Sequence, residues 1–178
     1  MRPVPGEVLH FSEDPTIARF EPHVAATAQQ PEAYVWAVDA ARAPDYWFPR
    51  RCPRVLAWVT SETSAADRVR LGSHRVHAIE YSWLPAMQSV RLYAYRFAAS
   101  SFRAFGEHAH AMVSTQPVLP LAPPEPVGDL LALHASAGIE LRVLPNLWAF
   151  VDAAAASSLG FSAIRMGNAV PRPGELHA

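Results

Sequence analysis

Lysine is missing altogether: every one of the 15 basic residues in this 178-residue chain is arginine, set against 16 acidic residues for a formal charge of -1. Chemistry that needs an ε-amine is thereby excluded, both Schiff-base formation and the lysine of a phosphate-binding P-loop. The near balance of charge supplies no global field to recruit nucleic acid or an anionic membrane, so any nucleic-acid role would need a local patch. Cysteine occurs once, at Cys52, which rules out an internal disulfide and a cysteine-rich zinc site. No apolar run approaches the roughly 20 residues that span a bilayer, and the first residues carry neither the basic start nor the apolar stretch of a secretory signal. The expectation is a cytoplasmic protein with no membrane partner. A Gly-rich phosphate loop, a Gly-x-Ser-x-Gly elbow and a His-Glu-x-x-His pair are likewise absent.

What is present is a chain that can bury a core: 51% of its residues are hydrophobic and only 17% charged. One domain is expected over residues 1–168, followed by a Pro-rich tail over 169–178 that reads as frayed. Val8 to Phe11 reads as a strand, and Asp14-Pro15 as the cap and first turn of a short helix through Arg19. Tyr34 to Val38 makes a second strand after a loop containing Pro22, Gln29, Gln30 and Pro31. Asp39 can then cap a helical segment over Ala40 to Phe48, which Pro44 interrupts or confines to short turns. Strands follow at Arg54 to Val59, Arg75 to Tyr81, Arg91 to Phe97 and Ala111 to Ser114, with one helix around Ala65 to Leu71. Gln116 to Pro120 suits an edge strand or extended loop. Late in the chain Val127, Leu130, Leu131, His134 and Ala135 recur at helical spacing with Gly138 as the stop. Leu147, Phe150, Val151, Ala154 and Leu159 repeat that signal with Asn146 as cap. The fold class is α+β: a twisted, mainly antiparallel sheet flanked by helices that are concentrated at the two ends of the sequence.

Polar groups on strands that should be bland mark the candidate site. His10 and Ser12 share one face of the first strand, and an imidazole there can bond a ribose hydroxyl or simply the backbone. Trp36 on the second strand, with Tyr46 and Trp47 beyond it, can sandwich a flat heterocycle or fill a core. Arg50, Arg51 and Arg54 crowd around Cys52 and two prolines, where guanidinium forks can grip phosphate or stand solvated. A lone cysteine is more often inert than nucleophilic. The pairs His74 with His77 and His108 with His110 suggest a metal only weakly, since zinc wants three or four ligands and only Glu107 is adjacent.

The layout His10-Phe11-Ser12 on a first strand, Tyr34-Val35-Trp36-Ala37-Val38 on a second and Tyr46 on the segment after it resembles the opening half of ADP-ribosyltransferase-fold proteins. Rifampin ADP-ribosyltransferases and RNA 2'-phosphotransferases are similar in this respect. The resemblance implies an ADP-ribosyltransferase-like fold with NAD as cofactor, His10 on the NAD ribose and Trp36 against the nicotinamide. It also implies a late carboxylate to steady the cationic sugar. That position falls on Gln116, which can orient a hydroxyl but cannot take its proton, with Glu107 or Glu125 as conceivable substitutes. Phe11 stands where many of those proteins carry glycine. The catalytic set is then His10 and Gln116, and the cofactor set His10, Ser12, Trp36, Tyr46, Arg50 and Arg51, with no metal. The partner would be a small-molecule nucleotide. The blocks Leu9-His10-Phe11-Ser12-Glu13-Asp14, Phe48-Pro49-Arg50-Arg51-Cys52-Pro53-Arg54 and Glu140-Leu141-Arg142-Val143-Leu144-Pro145 resemble, over residues 8–168, a bacterial family of unknown function. Two alternatives share the same fold: a nonenzymatic ligand-binding or interaction module, and RNA 2'-phosphate transfer with the arginines lining the site.

Overall fold

A computed structural model describes residues 1–24, 31–106 and 111–174 of the chain. In chain order the strands are β1 (Glu7–Ser12), β2 (Val35–Ala37), β3 (Arg54–Trp58), β4 (Arg75–Glu80), β5 (Tyr93–Ala98), β6 (Arg103–Phe105), β7 (Ala111–Ser114), β8 (Glu125–Pro126), β9 (Glu140–Leu144) and β10 (Gly160–Ile164). The helices are α1 (Ala65–Leu71), α2 (Leu84–Ser89), α3 (Leu130–Ser136) and α4 (Trp148–Ala155). Short 3-10 turns lie at Ala43–Tyr46, Tyr81–Trp83, Ala99–Ser101 and Met166–Asn168. The class is α+β with mostly antiparallel pairing, as expected. These elements fall into two compact units, one built from Met1–Trp47 and Arg91–Gly128, the other from Phe48–Val90 and Asp129–Ala178.

The first unit holds two antiparallel sheets, ordered β1-β5-β8 and β2-β7-β6. An isolated bridge between Leu9 and Val38 links β1 to the chain leaving β2. Between the sheets lies an apolar cluster of Val8, Phe20, Val35, Ala37, Tyr95, Phe97 and Val118. Phe20 is its centre, set edge-on to Tyr95 at 4.9 Å and to Phe97 at 5.0 Å between ring centroids. The need to deliver Phe20 there explains why the short helix expected from Asp14 does not form. The Asp14 carboxylate accepts both the amide and the hydroxyl of Thr16, a local turn that competes with helix, and the chain runs on extended to the Phe20–Val118 bridge. Tyr95 pins this segment: its buried hydroxyl donates to the Asp14 carbonyl at 2.7 Å and accepts from the Ile17 amide at 3.1 Å. Pro44 does confine the segment after Asp39 to one 3-10 turn, and the Asp39 carboxylate accepts the amides of Ala41 and Arg42.

The second unit holds a sheet ordered β10-β3-β4-β9, antiparallel except for the parallel pair β4 and β9. Val55, Ala78 and Leu147 form one buried cluster with Phe150 and Val151 of α4 packed on it, and Ala57, Leu71 and Val76 form another. Helix α1 covers the span its sequence announces, with Ser64 accepting the Asp67 amide at one end and Gly72 in the left-handed region at the other. Helix α3 starts on the Asp129 carboxylate, which accepts the amides of Leu131 and Ala132. It stops at Gly138 (φ 66°), where the Ile139 amide returns to the His134 carbonyl, so the expected stop is the observed one. Asn146 acts one residue earlier than a cap, its side chain accepting the Trp148 amide.

Three features depart from the sequence reading. Among the described residues the α-helices lie in the middle and second half of the chain, and the first 47 positions carry a 3-10 turn and no α-helix. The strand read to Tyr81 gives way to a turn and then α2, because Pro85 is suited to the first turn of a helix. The start of the Pro-rich tail is fastened rather than frayed. The Val170 amide donates to the buried Glu80 carboxylate, its carbonyl accepts from the Trp148 indole at 2.7 Å, and Arg172 pairs with Asp152 at 2.9 Å while lying over the Trp148 ring.

Candidate functional site

The pleat of β1 places Val8, His10 and Ser12 on one side. Val8 joins the apolar cluster, Ser12 is buried with its hydroxyl accepting the Asp14 amide, and the His10 ring stands edge-on to Phe20 at 4.9 Å. Nδ1 of His10 is 2.7 Å from the main-chain carbonyl of Trp36. A carbonyl only accepts, so Nδ1 of His10 carries a hydrogen and donates it. His10 therefore reaches Trp36 through its backbone.

The Trp36 side chain goes elsewhere. Its neighbours Val35 and Ala37 face the cluster around Phe20, so the indole leaves the opposite side of β2. There it meets Tyr34 at 5.7 Å and Phe105 of β6 at 5.0 Å, both edge-on, while the Arg103 guanidinium lies over the Tyr34 ring and donates to its hydroxyl. The imidazole of β1 and the indole of β2 thus lie on different sides of β2, linked only through the Trp36 carbonyl. The indole N–H is buried and finds no acceptor among the described residues. A neutral donor left in that state costs about 1–3 kcal/mol, so it calls for a reason.

The remaining sequence candidates are distributed as follows. Gln116 is exposed, and its main chain is clasped by the Ser114 hydroxyl, which accepts its amide and donates to its carbonyl. Tyr46 is half-buried at the end of the 3-10 turn. Glu125 is paired with Arg96 at 2.9 Å, and that hydrogen bond holds its carboxyl below the ordinary range. Arg50 and Arg51 are exposed in the second unit, but Arg54 is buried, donating to the Cys52 carbonyl at 3.0 Å with its guanidinium 4.9 Å from the Phe48 ring. The three arginines do not form one solvated cluster. Cys52 is buried and desolvation pushes its thiol up to about 12, against the pull of Arg54, which makes it a poor nucleophile. Glu107, His108 and His110 lie outside the described residues.

His74 and His77 do not act together: His74 is exposed, and His77 is buried against a partner 57 positions away. Nδ1 of His77 is 3.0 Å from Nε2 of His134, Nδ1 of His134 is 2.7 Å from the Leu130 carbonyl, and Arg75 Nε donates to His77 Nε2 at 3.1 Å. Phe48 packs on both imidazoles, at 5.5 and 5.0 Å. His134 reads in the sequence as one member of an apolar helical stripe. The signal that could have found it is a histidine interrupting each of two otherwise apolar stretches, Val76-His77-Ala78-Ile79 and Leu130-Leu131-Ala132-Leu133-His134.

Among the described residues no cluster of three or more His, Cys, Asp or Glu side chains can hold a metal ion, and no helix is long and apolar enough to cross a membrane. No curated protein and no solved structure matches the chain, so the resemblance to ADP-ribosyltransferases gains no support there. A family model does match, over residues 9–169, nearly the stretch carried by the Leu9–Asp14, Phe48–Arg54 and Glu140–Pro145 blocks. The chain belongs to the family of unknown function DUF6886.

Proposed function

We propose that the first unit binds a flat, amide-bearing heterocycle, of which the nicotinamide nucleotide NAD is the leading example, and that it does so without transferring a group. The observation that carries this reading is the buried indole N–H of Trp36, a donor without an acceptor among the described residues, set among the rings of Tyr34 and Phe105. A carboxamide oxygen would satisfy it, and a flat ring would stack on the half-buried rings of Trp36 and Phe105. His10 has a positioning part, since its bond to the Trp36 carbonyl fixes the main chain behind the indole. Ser12 and Tyr46 belong to the same unit and are further candidates for polar contact. What argues against ADP-ribosyl transfer is Gln116, exposed and unable to accept a proton where a carboxylate would be wanted.

Calorimetric titration of NAD into the full chain and into Trp36→Phe tests this. The substitution keeps one aromatic ring and removes the donor along with the rest of the indole, so binding should weaken by about tenfold or more, one good hydrogen bond and some stacking area being lost. Absence of heat with the wild type overturns the reading. Release of free nicotinamide on incubation would instead favour transfer over binding alone.

A further inference from the structure

The second unit contains a chain of hydrogen bonds whose direction is fixed at both ends. The Leu130 carbonyl can only accept, so His134 carries its hydrogen on Nδ1 and presents a lone pair at Nε2. The Arg75 guanidinium can only donate, so His77 presents a lone pair at Nε2 and carries its hydrogen on Nδ1. These two assignments meet in the middle as a well-formed bond, His77 Nδ1–H to His134 Nε2 at 3.0 Å. The bond ties strand β4 to helix α3. Both rings are at most 1% exposed, so no water stands ready to replace a lost partner.

We propose that the His77–His134 bond is an acid-released latch that holds α3 against the sheet of the second unit. A proton has nowhere to go without breaking the chain. Added to His134 it sets two N–H groups against each other; added to His77 it sets an N–H against the Arg75 donor. Among the described residues, Arg75 from β4 bears on both rings and Arg54 from β3 on His77, both cations, while β9 places Leu141 beside His77 and α3 offers the Leu130 carbonyl. Burial above all, then the neighbouring ring and the two arginines, holds His77 well below the ordinary histidine range, and burial lowers His134 as well. Once the imidazoles are driven to take protons, the rings must separate, and α3 goes with His134.

Amide hydrogen exchange on the full chain, corrected for intrinsic rates, tests the latch by comparing α3 with α1 of the same unit at about pH 7.5 and about pH 5. Exchange in α3 should accelerate about tenfold more than in α1, the equivalent of one unit of pKa displacement. The double variant His77→Leu with His134→Leu, in which neither ring can titrate, should lose the difference. Equal acceleration of the two helices, or an α3 response that survives in the double variant, overturns the proposal. Should that variant fail to fold, proton NMR of the wild-type histidines decides: rings that titrate at the ordinary value while α3 stays protected also overturn it.

Discussion

Trp58, Gly160 and Arg75 form a row across the second unit's sheet, Gly160 of β10 lying opposite Trp58 in register and Trp58 lying opposite Arg75 of β4. The indole covers the glycine so closely that a Cβ there would overlap it, and the Arg75 guanidinium sits 5.7 Å from the ring on the other side. Glycine is needed at 160 for space. Gly160→Ala should therefore displace Trp58 and lower stability by about 1–3 kcal/mol, the usual cost of overpacking, as read from chemical denaturation. Because Arg75 also donates to His77, the same substitution should disturb the histidine signals in an NMR spectrum. Undisturbed signals with unchanged stability would mean the indole swings aside freely.

Among the elements, α3 is the one whose boundaries are set most firmly by single residues. Asp129 accepts two first-turn amides, and Gly138 takes the left-handed conformation that ends the helix. Asp129→Ala should cost about 1 kcal/mol and Asp129→Asn much less, a difference measurable as a shift of the denaturation midpoint. This helix was legible because its apolar spacing and its Gly138 stop agree within a dozen positions, whereas α1 was read from a polar segment between two strands, without the Ser64 cap and Gly72 stop that bound it. The helix expected after Asp14 was misread because an aspartate before a short polar residue turns the chain as readily as it caps a helix, and only the distant cluster that receives Phe20 decides between them. The two sides of β2 were harder still. Alternation says that His10 and Trp36 each have a facing side, but which side depends on the pairing of β2 with β7 and on the bridge from Leu9 to Val38. The His77–His134 bond joins residues from separate stretches of sequence, so no local pattern announces it.

For the molecule as a whole, acid should act in two stages. His77 and His134 have folded-state pKa values below the ordinary 6.5, so the unfolded chain gains protons first as the pH falls through about 6.5, while the folded one does not. Their contribution is fully present above that value and is lost progressively below it, and because both rings belong to the second unit, that unit should weaken first. A second loss is expected below about pH 4, where carboxylates take up protons. Asp67 is held down to about 2, chiefly by the Ser158 amide and hydroxyl and by the Ser64 hydroxyl, and Asp14, Glu125 and Asp152 are also lowered by their hydrogen bonds. Denaturation followed across a pH series, with probes placed in each unit, would show the two windows. A flat profile between about pH 7 and pH 5 would contradict the first of them.

The segment through Val170 and Arg172 is closed over Glu80 like a strap over a buckle, with Trp148 and Asp152 as its eyelets. A chain trimmed short of Val170 would strand an interred carboxylate without the amide that now answers it. Anyone shortening this protein for crystals or fusions should cut beyond the strap, since proline content at that end says nothing about dispensability.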